Sequence, residues 1–135
     1  MKKFEDLIVW QKAMEFAETI YKIQRKFPRE ETYGLGDQIR RAVVSVPSNI
    51  AEGCGRDTDA DFQRFLCIAR GSLFEVRTQL TLAVRLGYVK LPEEVFAQAE
   101  EIGRLLNSLI RRVRTSSCHP SPHQPLTASP LTANR

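Results

Sequence analysis

Seven apolar residues, Phe62, Leu66, Ala69, Leu73, Val76, Leu80 and Ala83, follow one another at alternating intervals of four and three. That rhythm stays on one face of an α-helix for about six turns. A stripe this long and narrow is buried only against other helices, so it commits the chain to helix-on-helix packing. The same rhythm recurs in Leu7, Trp10, Met14, Ala17 and Tyr21, in Leu35, Ile39, Ala42, Val46 and Ile50, and in Val95, Ala99, Ile102, Leu106, Leu109 and Val113. Four stripes with short connections predict an all-α, antiparallel up-down-up-down four-helix bundle over residues 1–115.

Punctuation residues set the expected boundaries. The first helix runs from about Asp6 to Phe27 and stops at Pro28, and the second runs from Gly36 to Cys54 beside Gly53 and Gly55. Thr58 or Asp59 caps the third, which ends at Leu86-Gly87-Tyr88 in the manner of a Schellman motif. The fourth opens at Pro92 with Glu93 and Glu94 in its first turn, where carboxylates suit the helix dipole. Residues 116–135 carry four of the seven prolines and one charge, Arg135, and are expected to form a disordered tail.

Pro47 interrupts the second stripe. It cannot donate to the carbonyl of Val43 and would cost about 3 kcal/mol in an isolated helix. Either the helix kinks there, with Ser48 or Asn49 serving the freed carbonyls, or a new helix starts with Ser45 as its cap. Ser48, Asn49, Glu52, Ser72 and Glu75 are the candidate structural polar cluster.

Two further apolar bands lie off the main stripes: Val9, Phe16 and Ile23 on the first helix, and Cys67, Phe74, Thr78 and Leu82 on the third. Soluble monomers avoid bare bands of this kind. Val9, Phe16, Ile23, Cys67, Phe74 and Leu82 are therefore candidates for an interface between copies, with burial by a wider core as the competing explanation. Gly71 in mid-helix suits close approach by a neighbouring backbone.

Catalytic equipment is sparse. His119 and His123 both fall in the proline-rich segment, which leaves the body without the usual general base. Three widely spaced cysteines form no Cys-x-x-Cys pair, and no glycine-rich phosphate loop is present. The expectation is a cytoplasmic, non-enzymatic chain with no catalytic residues, metal, cofactor, signal peptide or membrane span. The net charge of +4 is modest, and much of it sits where helix dipoles are complemented. Arg40, Arg41, Arg70, Arg77 and Arg104, around the waist, are the candidate phosphate contacts. For Arg40 or Arg41 the competing role is an ion pair with Glu52 or Glu75.

The body resembles the proteins encoded in intervening sequences of bacterial large-subunit ribosomal RNA genes, once called S23 ribosomal proteins. The resemblance is carried by Phe4-Glu5-Asp6-Leu7, Val9-Trp10-Gln11-Lys12-Ala13, Gln38-Ile39-Arg40-Arg41-Ala42, Ser45 through Gly53, Gly71-Ser72-Leu73 and Leu86-Gly87-Tyr88. It implies a homo-oligomer, typically a ring of five bundles. It also implies kinship with the accessory variability protein of diversity-generating retroelements, a basic bundle that binds nucleic acid and a reverse transcriptase. The leading expectation is a homo-oligomer that binds RNA or another nucleic acid through its arginines. The rival is a scaffold that docks a partner protein through helix faces.

Overall fold

Thr58 accepts a hydrogen bond on Oγ1 from the Asp61 N–H at 3.1 Å, and from there the apolar heptads run as an uninterrupted helix, Asp59–Arg85. Its end is a Schellman motif: Gly87 has φ 79°, the Tyr88 N–H donates to the Ala83 carbonyl at 2.9 Å, and the Gly87 N–H donates to Val84 at 3.0 Å. Only glycine adopts that φ without strain, which is why the stop falls there. The computed structural model describes residues 3–116. In chain order the helices are α1 (Ile8–Gln24), α2 (Leu35–Cys54), α3 (Asp59–Arg85) and α4 (Glu93–Ser116), with 3-10 turns at Phe4–Asp6 and Arg29–Glu31. Among the described residues there is no strand. The proline-rich segment expected to be disordered lies, from residue 117 on, outside the described residues.

α1 packs on α2 and α4, and α3 packs on α2 and α4, the arrangement of a four-cornered bundle with sequence neighbours adjacent. α2 and α3 make the most extensive contact. Gly53 permits it: a Cβ there would come within 2.7 Å of the Phe65 Cβ. α2 continues through Pro47, and Ser45 lies inside it, so no new helix starts at that point. The Asn49 amide donates to the Ser45 carbonyl at 2.8 Å and to the Ser45 hydroxyl at 2.9 Å. Ser45 Oγ in turn meets Ser72 Oγ of α3 at 2.7 Å. This small network ties the proline turn to the neighbouring helix, with every named hydroxyl and amide partnered, as buried polar groups require.

Three of the four main stripes face inward as expected, and the α1 stripe does not. Val9, Ala13, Phe16, Ala17, Ile20 and Ile23 form the buried face of α1, with Phe16 only 1 % exposed. Val9, Phe16 and Ile23 therefore belong to this protomer's own core and are not a surface for another copy. Met14 and Tyr21, assigned inward from sequence, are 38 % and 39 % exposed. The physical reason is chemical. Both faces of α1 repeat every seven residues, and the face made of Ile, Val, Ala and Phe can be enclosed without burying a polar tip, whereas Trp and Tyr carry one.

At the end of the bundle where α1 turns into α2, several long-range ties converge. Tyr88 donates to Glu31 Oε2 at 2.7 Å, while Glu31 Oε1 accepts from the Leu35 N–H at 2.9 Å. Phe27 stacks at a tilt against Tyr88, with ring centroids 5.9 Å apart. The two hydrogen bonds hold the Glu31 carboxyl below its usual range, the backbone bond from Leu35 contributing most. Donating to the Glu31 carboxylate in turn pushes the Tyr88 phenol up.

Candidate nucleic-acid interface

Opposite corners of the bundle carry two open grooves. The first lies between α1 and α2, has a volume of about 570 Å³, and is lined by Trp10, Met14, Tyr21, Val44 and Pro47 with Glu18 as its charged residue. The second lies between α3 and α4, has a volume of about 770 Å³, and is lined by Phe74, Arg77, Thr78, Thr81, Leu82, Arg85 and Phe96. Because α1 neighbours α2 and α3 neighbours α4, these grooves fall on opposite flanks.

The α3/α4 groove follows from the register of α3. With the apolar stripe turned inward, Arg70, Phe74, Arg77, Thr81 and Arg85 come round on the flank toward α4. Phe74 is 52 % exposed and the Arg77 guanidinium lies 6.0 Å from its ring centroid. Thr78 and Thr81 donate their hydroxyl protons back to the carbonyls of Phe74 and Arg77, at 2.9 and 2.8 Å. The charged groups lining this groove are thus guanidiniums, with no carboxylate among its described lining residues. Arg70, farther along the flank, donates to Asn107 Oδ1 of α4 at 2.8 Å and reaches Cys67 Sγ at 3.9 Å.

The five candidate arginines do not form one surface. Arg40 is held inside a joint: Nη1 donates to Gln24 Oε1 at 2.6 Å, Nη2 to the Thr32 carbonyl at 3.0 Å, and Asp37 lies 3.7 Å away. Its side chain is only 23 % exposed, so its guanidinium ties α1, the connecting turn and α2 together and is not offered to a ligand. Arg41 is 79 % exposed and pairs with Asp37 at 3.0 Å. Neither pairs with Glu52 or Glu75. Arg104 is exposed on α4. Of the five, Arg70 and Arg77 share a flank, and Arg85, the basic residue in the last turn of α3, joins them.

The candidate polar cluster does not converge either. Asn49 and Ser72 meet through Ser45, a residue considered from sequence only as a cap. Ser48 lines the α1/α2 groove, and Glu52 pairs with Arg56 at 3.1 Å on the surface. Glu75 lies with Arg41 and Gln79 in a shallow α2/α3 groove, where Gln79 Oε1 is buried without a hydrogen-bond partner among the described residues. Burial, with Glu5 nearby, pushes the Cys54 thiol up and away from reactivity. Of the remaining interface candidates, Cys67, Phe74 and Leu82 are exposed. A Cβ at Gly71 would meet nothing within 4 Å, so the backbone approach expected there does not occur inside the protomer.

Fold and flanks together define an all-α bundle with apolar-walled grooves on opposite flanks. The chain belongs to the 23S rRNA-intervening sequence protein family, whose profile matches residues 5–108. It is also similar to a crystal structure of a protein with unknown function from the S23 ribosomal protein family of Bacteroides thetaiotaomicron VPI-5482. That match has a TM-score of 0.71 and 29 % identity over 82 % of this chain and 99 % of the other. The family is one of unknown function and is not a known enzyme family. Among curated proteins, none matches in sequence. No helix among the described residues is long and apolar enough to cross a membrane.

Proposed function

We propose that this chain is a non-enzymatic, cytoplasmic, homo-oligomeric protein that binds RNA or another nucleic acid through the α3/α4 flank. The observation that carries the reading is the charge of that groove: Arg77 and Arg85 line it together with Phe74 and Phe96, and its described lining residues include no carboxylate. A polyanion gains from such a flank by counterion release, and the gain weakens as salt rises. Arg70 extends the flank. Arg41 and Arg104, on other faces, are secondary contacts that matter only once copies are assembled. Self-association is assigned to the α1/α2 groove, whose apolar wall has the composition of a protein contact, and the family resemblance implies five copies.

The test is fluorescence anisotropy with a labelled RNA at two salt concentrations, comparing the parent protein with Arg77→Gln/Arg85→Gln. The expected result is salt-sensitive binding that weakens at least tenfold in the variant, with a salt slope smaller by about 0.7 per arginine on a single strand. Absence of binding even at low salt would leave the scaffold reading in its place.

A further inference from the structure

We infer that the α3/α4 groove selects single-stranded nucleic acid over duplex. The inference rests on the nucleic-acid reading above and narrows its ligand. Phe74 is half-exposed on α3 and Phe96 stands on the α4 side of the same groove. An exposed ring beside a cation, as Phe74 is beside Arg77, is useful to a ligand whose own rings are free to stack. A duplex keeps its base faces stacked on one another and presents phosphates, so the aromatic rings would gain it nothing.

The polar chemistry agrees. With the hydroxyl protons of Thr78 and Thr81 given to the helix backbone, donors to a ligand are confined to guanidiniums. Guanidiniums on phosphates and phenyl rings on base faces recognise a strand without reading its sequence. Arg70, Arg77 and Arg85 span 15 helical positions, about 22 Å along the axis, so one strand of several nucleotides is needed to reach all three. That length falls within the range of about 4–16 nucleotides seen for compact single-strand sites.

The experiment uses the full chain and two labelled probes, a 12-nucleotide oligouridine and an RNA hairpin of matched phosphate number, at one low and one moderate salt concentration. Oligouridine should bind at least tenfold more tightly than the hairpin. Phe74→Leu, which keeps the apolar volume but removes the ring, should weaken oligouridine binding about tenfold and leave the salt slope unchanged. Arg77→Gln should reduce the slope by about 0.7. Equal affinity for the two probes, or a Phe74→Leu variant that binds oligouridine like the parent, overturns the single-strand inference while the nucleic-acid reading stands. Binding of neither probe at low salt overturns both.

Discussion

The two flanks of this bundle expose apolar side chains to a similar degree and differ in what surrounds them. Between α1 and α2, Trp10, Met14, Tyr21 and Val44 sit over a buried proline with Glu18 as the nearby charge. Between α3 and α4, Phe74, Leu82 and Phe96 are interleaved with Arg77 and Arg85. Apolar exposure alone says only that a surface wants covering. The sign of the neighbouring charge says by what: a carboxylate beside a greasy wall repels a phosphate chain, while guanidiniums attract one.

The largest expected effect tests whether the α1 flank is a surface at all. Phe16→Ala removes a ring from the core and should cost about 3–5 kcal/mol in urea unfolding, whereas Tyr21→Ala should cost under about 1 kcal/mol in dilute protein. Equal losses at the two positions would mean that Tyr21 is interior and that the two flanks are not comparable. Next in size is self-association. Val44→Glu places a charge on the α1/α2 wall and should raise the dissociation constant between copies about tenfold in sedimentation velocity, without altering RNA affinity at the opposite flank. Unchanged assembly would move the contact away from this groove. The smallest effect concerns Gly71, beside the arginine flank. Since a methyl there meets no neighbour, Gly71→Ala should stabilise the protein by about 0.5–1 kcal/mol. A loss of nucleic-acid or self affinity instead would show that a partner's backbone approaches that position.

Much of the candidate site was beyond sequence reasoning because its partners are distant along the chain. Arg40 looks like any waist arginine in sequence, yet its partners Gln24 and Thr32 are 16 and 8 residues away and are brought to it by the α1–α2 turn. Arg85 looks like a helix-end cation answering the dipole, and only the α4 wall bearing Phe96 makes it part of a groove. Ser45 and Ser72, 27 residues apart, become a bonded pair because α2 and α3 approach closely at that level. Phe74 and Leu82, by contrast, were legible as outward apolar residues, because α3 has one unbroken stripe and these lie well off it.

Local chemistry was enough to determine the helical class, a cap at Thr58 or Asp59, the Gly87 stop and the inward faces of α2, α3 and α4. Each depends on hydrogen bonds and periodicity within a few residues. Which side of α1 turns inward was decided only by the assembled bundle. Val9-Ala13-Phe16-Ile20-Ile23 and Leu7-Trp10-Met14-Ala17-Tyr21 keep the same rhythm on one cylinder, and a helix cannot choose between two apolar faces until its neighbours supply the space. The space between α2 and α4 accepts aliphatic chains and a phenyl ring to full enclosure, and so the tryptophan, methionine and tyrosine remain at the rim where a partner can reach them.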